Sequence, residues 1–99
     1  MLEGFADEAT MTYGSNDPMA GRDAIRGGLE WLFTTYSRMR HEFRNLWSSG
    51  AVLLLEANVT YVRPDGREVT LPVVTIIEHR DGIIGGLRIF IDPTPTQVG

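Results

Sequence analysis

The 99-residue chain contains no cysteine and no lysine. The first absence excludes disulfides, thiolate nucleophiles and sulfur-ligated metals. The second excludes Schiff-base chemistry through a protein amine, because all nine basic residues are arginine. Histidine is scarce as well. His41 and His79 stand far apart, with neither HxH nor HxxxH spacing, so no metal site is expected, and no residue pattern asks for a cofactor. A net charge of −4 argues against nucleic acid as a partner, since that affinity rests on clustered Lys and Arg. No run approaches the ~18 apolar residues of a membrane-spanning helix. The first residues lack the basic, apolar, small-residue order of a signal peptide. These absences lead to an expectation of a cytoplasmic protein with no membrane partner.

What is present suits one modest core. With 42% hydrophobic and 22% charged residues, the chain reads as a single domain over 1–99. So small a core has little apolar surface to spare. A pocket would compete with stability, and dimerisation is the expected remedy.

Residues 1–9 read as the end of a helix running into a short strand over 10–13. Gly14-Ser15-Asn16-Asp17-Pro18 is turn chemistry. A helix then opens at Gly21-Arg22-Asp23, where Asp23 faces the positive end of the dipole. Ile25, Leu29, Leu32 and Tyr36 form its apolar stripe, to about Ser37. Gly27-Gly28 costs this helix roughly 1 kcal/mol per residue relative to alanine, so a close backbone approach or strong tertiary contact is expected there.

Alternation predicts strands over 41–47, 51–63, 67–79 and 83–91, with hairpin turns at Asp65-Gly66 and Asp81-Gly82. In the second of these, Leu53, Leu55, Ala57, Val59 and Tyr61 share one face. Val52, Leu54, Glu56, Asn58, Thr60 and Val62 share the other. Both faces begin apolar, so cover on both sides is expected. Pro72 cannot donate to a ladder, which predicts a bulge or an edge position and a bend in the sheet. Residues 94–99 read as an unstructured tail. An amphipathic helix behind a curled antiparallel meander is an α+β pattern that leaves a half-open apolar cone.

Phe5-Ala6-Asp7-Glu8-Ala9-Thr10, Gly21-Arg22-Asp23-Ala24-Ile25, Val69-Thr70-Leu71-Pro72 and Arg88-Ile89-Phe90-Ile91-Asp92-Pro93 occur in order along the chain. Together they resemble the SnoaL-like branch of the nuclear transport factor 2-like superfamily. The resemblance implies a cone-shaped, curved, mostly antiparallel sheet wrapped on helices around an apolar pocket. Ketosteroid isomerases, limonene-epoxide hydrolases and polyketide cyclases share that fold. It also implies a long first helix ahead of residues 2–6; the sequence starts after it, so either the sequence is a truncation or a partner chain closes the opening. A second copy is therefore expected to cover the exposed trough as a homodimer.

Carried over by position, the isomerase base falls on Tyr13 and its acid on Thr75. The hydrolase arginine and its two aspartates fall on Glu56, Asn58 and Ile89. Neither set is complete. The resemblance places Tyr13, Glu56, Asn58 and Thr75 on the concave face, with Glu56, Tyr13 and Asn58 as the catalytic candidates. Thr75, His41, Leu54, Val73, Ile89 and Trp31 are the candidates for contact with an apolar substrate. Glu56 between apolar neighbours suits an acid or base; its alternative is an ion pair with Arg88 or Arg44. Arg88, opposite in phase to Ile89, reads as structural. Two functions stay open: an isomerase, cyclase or hydrolase using acid–base chemistry, and a non-catalytic ligand-binding or dimerisation module. A solvent-connected cavity with Glu56 and Asn58 pointing inward would favour an enzyme or ligand binder. One filled by Leu54, Val73 and Ile89 would favour the second.

Overall fold

A computed structural model describes residues 4–97. The elements run β1 Phe5–Tyr13, β2 Met19–Ala20, α1 Arg22–Thr35, β3 Arg38–Ser49, β4 Val52–Val62, β5 Glu68–Arg80, β6 Ile83–Phe90 and a single-turn α2 Thr94–Gln97. The strands form one sheet in the order β2-β1-β6-β5-β4-β3. β1 and β6 are parallel, and all other neighbours are antiparallel. No helix precedes β1 among the described residues, where the resemblance implies one.

The turns do what their residues predict. Asp81 and Gly82 both take positive φ, 52° and 79°, the geometry of a two-residue hairpin whose twist matches its strands. At the other hairpin the Gly66 amide donates to the Arg63 carbonyl at 2.8 Å, and Asp65 Oδ1 accepts from the Arg67 amide at 3.0 Å. These turns set the register of β4, β5 and β6, and so decide which side chains share a face.

Three expectations need correction. Residues 5–9 are strand, not helix end: Phe5, Ala9, Met11 and Tyr13 are buried while Asp7, Glu8 and Thr10 are exposed. The spacing of two from Ala9 to Tyr13 suits a strand, and pairing with β6 overrides the helical propensity of Ala and Glu; residues 1–3 lie outside the described residues. Pro72 carries no bulge and pairs in register with Asn58. The β5–β6 ladder begins only at Val74 opposite Phe90, so no β6 residue pairs with Pro72. Register shifts lie instead between Phe43 and Asn45, between Glu78 and His79, and between Phe5 and Thr10, and irregularities of this kind let a sheet curve. Finally, the tail forms the single-turn α2 over Thr94–Gln97, and residues 98–99 lie outside the described residues. Thr96 is buried, donates to the Pro93 carbonyl at 2.6 Å and lies 2.8 Å from the Tyr36 hydroxyl.

The core forms two clusters. Phe5, Ala9, Met11 and Ile25 join α1 to β1. Tyr13, Leu32, Tyr36, Ala57, Val59, Tyr61 and Val73 fill the space between α1 and the sheet. The concave face beyond α1 stays open, leaving Phe33 53%, Phe43 63% and Leu46 64% exposed. The expected cover over both faces of β4 is therefore absent within one chain: only Ala57, Val59 and Tyr61 are buried.

The glycine pair in α1 divides in two. A Cβ on Gly27 would meet nothing within 4 Å, whereas one on Gly28 would collide with the Met19 thioether. Gly27→Ala is therefore expected to stabilise the fold by about 1 kcal/mol in urea denaturation. Gly28→Ala should gain distinctly less, because Met19 must move. Equal gains would refute the packing role assigned to Gly28.

Candidate functional site

Because β4 side chains alternate, one row of it faces α1 and the other faces away. Leu55, Ala57, Val59 and Tyr61 face inward. Tyr13 of β1, Val73 and Thr75 of β5, Ile89 of β6, Met39, His41 and Phe43 of β3, and Leu29, Leu32 and Phe33 of α1 join them around a cavity of about 220 Å³. The walls are mostly hydrocarbon, and no carboxylate, arginine or lysine lines this cavity.

Its hydroxyl groups come from Tyr13, Tyr61 and Thr75. The Tyr13 hydroxyl donates to the Tyr61 hydroxyl at 3.4 Å, long for such a bond, so the contact orients more than it binds. Tyr61 packs on Tyr36 with ring centroids 4.8 Å apart. The Thr96 proton already serves the Pro93 carbonyl, so Tyr36 is the donor in their 2.8 Å contact. Burial pushes the Tyr13 phenol far above its ordinary range, and its bond to Tyr61 adds to the effect. Burial also raises Tyr61, partly offset by the bond it accepts from Tyr13. Tyr61 thus accepts from Tyr13, while its own proton has no protein acceptor among the described residues.

Tyr13, Thr75, His41, Val73 and Ile89 do meet around this cavity. His41 is exposed at the rim, stacked on Phe43 with centroids 5.9 Å apart. Glu56, Asn58 and Leu54 do not join them. All three occupy the convex face, in register with Asn45, Glu42 and Trp47 of β3. The division of β4 into two rows was sound, but the positional carry-over assigned the wrong row to the interior. Nor does Glu56 pair with Arg88 or Arg44. Its Oε1 accepts from Asn45 Nδ2 at 2.7 Å, while Arg88 lies 3.2 Å from Glu78 and Arg44 lies 3.9 Å from Glu42.

Trp31 stands on α1, 49% exposed, away from the concave cavity. It lines a second cavity of about 230 Å³ with Met11, Tyr13, Asn16, Asp17, Met19, Gly28 and Leu32. Sequence reasoning left Tyr61 out of the site, although it ends the apolar β4 row and is the one member of it with a hydrogen-bonding head. Among the described residues, no three His, Asp or Glu side chains stand together as metal ligands.

Known proteins share this architecture. Residues 1–85 match the family model of the SnoaL-like domain. No curated protein sequence matches the chain. A structure named as a SnoaL-like polyketide cyclase from Jannaschia sp. CCS1 is 22% identical with a TM-score of 0.86, covering 96% of this chain and 72% of that one. An NTF2-like protein of unknown function from Burkholderia pseudomallei K96243 is 17% identical with a TM-score of 0.87, covering 96% of this chain and 78% of that one. TerC, crystallised with polyporic acid, is 18% identical with a TM-score of 0.84, covering 97% of this chain and 79% of that one. At these identities the likeness is one of fold. With the family match over most of its length and a curved sheet wrapped around α1, the chain belongs to the SnoaL-like domain family, on the nuclear transport factor 2-like cone.

Proposed function

We propose that this protein binds a neutral, apolar small molecule bearing an oxygen acceptor, held in the concave cavity by the Tyr61 hydroxyl. One observation carries the reading: a buried phenol whose proton has no protein acceptor among the described residues, set in a wall that is otherwise almost all hydrocarbon. Tyr13 orients that phenol, Val73 and Ile89 supply apolar contact, and Thr75 and His41 complete the polar rim. The cavity's volume of about 220 Å³ exceeds the roughly 150 Å³ that accommodates benzene, so one ring with a carbonyl fits. TerC, a structural neighbour, was co-crystallised with polyporic acid, which supports a small molecule as the occupant.

A catalytic version has one observation in its favour. His41 lines the same cavity as Tyr61, so a base and a hydrogen-bond donor could face one substrate, as an isomerase or cyclase would need. The hydrolase-like version loses its support, because Glu56 and Asn58 lie on the other face.

The convex face supports a homodimer. Trp47, Leu54 and Ile76 align across three strands, next to Val74 and Phe90, and Trp47 and Phe90 are each 52% exposed. A second copy would cover this patch. We retain the cytoplasm as the setting. Trp47→Glu is expected to convert the dimer into monomer in sedimentation velocity; a monomeric parent protein would refute the pairing.

Acetophenone is a suitable probe of the pocket. By calorimetry, Tyr61→Phe should weaken its binding about three- to tenfold, the loss of one hydrogen bond. Glu56→Gln should leave it unchanged. The opposite pattern would return the site to Glu56. Alkaline stability offers an independent check. The unfolded phenols ionise near pH ~10, whereas burial keeps them protonated in the fold. The unfolded state then holds fewer protons, so stability should be level below about pH 10 and fall above it. Tyr13→Phe combined with Tyr61→Phe should flatten that fall in urea midpoints; an unchanged slope would contradict the burial of the pair.

A further inference from the structure

The cavity between the β1–β2 turn and α1 is a space apart from the concave one, because the buried side chains of Tyr13 and Leu32 stand between them. Its chemistry differs as well. Two thioethers shape its inner wall. Met11 and Met19 pair across β1 and β2, and both reach the space in front of Gly28, where a Cβ would meet the Met19 sulfur and, at 3.6 Å, the Met11 methyl. A thioether beside an aromatic ring is a favourable contact. The cavity's volume of about 230 Å³ exceeds the roughly 150 Å³ that takes up benzene, so one ring fits.

The mouth is polar and negative. Asp17 lines it from the turn and Trp31 from the helix, and both side chains are exposed. No arginine or histidine lines this cavity. Asp17 enters no ion pair among the described residues, and the two arginines of α1 are directed elsewhere: Arg22 lies 3.4 Å from Asp7 and Arg26 lies 3.9 Å from Asp23. An uncompensated carboxylate thus shares the mouth with an indole, whose face also attracts positive charge. The backbone that presents Asp17 is tied to the sheet. The Gly14 amide donates to the Ile89 carbonyl at 2.8 Å and the Asn16 amide to the Tyr13 carbonyl at 3.1 Å, while Pro18 keeps Asp17 out of the helical region.

Apolar depth, thioether walls and a cation-attracting mouth define one class of ligand. We propose that this cavity is a second small-molecule site, for an aromatic ring that carries an ammonium group on a short alkyl arm. The ring lies against Met11, Met19 and Leu32. The ammonium emerges between Asp17 and Trp31, with an ion pair to the first and a cation–π contact to the second. At the open mouth it keeps part of its hydration, which limits the cost of desolvating a charge. The concave cavity, with no carboxylate in its wall, takes no part in this binding.

2-Phenylethylammonium and 2-phenylethanol differ in charge and little in shape. The chain has two tryptophans, Trp31 at this mouth and Trp47 on the convex face, so their indole N–H resonances report where a ligand binds. NMR titration of isotope-labelled protein should show the ammonium binding about five- to tenfold more tightly than the alcohol, from one exposed ion pair and one cation–π contact. The Trp31 indole should shift and the Trp47 indole should not. Asp17→Asn should weaken the ammonium about threefold and leave the alcohol unchanged. Glu8→Gln, which removes an exposed carboxylate from β1, should change neither affinity. Equal affinity for the two probes overturns the proposal, as does a loss that Asp17→Asn and Glu8→Gln share, which would report net charge alone. An ammonium that shifts Trp47 instead of Trp31, or that displaces acetophenone from the concave cavity, overturns it too.

Discussion

Along β4 each side chain must point opposite to its neighbours, and the chemistry of this protein depends on that constraint. The strand is held in continuous register by β5 on one side, and by β3 on the other with one shift between Phe43 and Asn45, so its rows cannot slip without exposing the core. One row, ending in Tyr61, faces α1 and becomes the pocket wall. The other, carrying Glu56 and Asn58, faces away and becomes part of a surface. A carboxylate near an apolar pocket by sequence distance is thus kept outside it by geometry.

The wall of the pocket is also the core. Tyr13, Leu32, Ala57, Val59, Tyr61 and Val73 are buried against one another and line the concave cavity. A chain this short has no separate set of residues for stability and for binding. The narrow end of the cone is closed by a chain of contacts from Pro93 through Thr96, Tyr36 and Tyr61 to Tyr13. It gives the two inner phenols fixed positions, and burial favours the protonated form of both.

Two apolar surfaces remain uncovered in the single chain. One is the concave rim of Phe43 and Leu46 beyond the reach of α1, and the other is the convex band from Trp47 to Phe90. The edge strand β3 carries residues of both, which explains why all of it except Met39 is exposed despite its aromatic content. The bulge between Phe43 and Asn45 and three arginines along β3 blunt this edge against open-ended pairing.

The hairpins, the helix from Gly21 and the strand alternation were legible in the sequence because they depend on local chemistry: Asp-Gly pairs that accept positive φ, and apolar spacing of two or near four. From these the cone and its two-row β4 follow. The first strand was not legible, since Phe5 to Ala9 is held by the parallel pairing with β6, a contact between residues far apart in the chain. The same is true of Thr96, which reads as tail until Tyr36 reaches it. Nor could alternation alone say which β4 row faces inward, because both rows begin apolar. Only the placement of α1 over one face of the curved sheet made Tyr61 interior and Glu56 exterior. The local code determined the elements and their periodicity; the tertiary structure decided which side of each strand became the site, because facing is set by what packs against it.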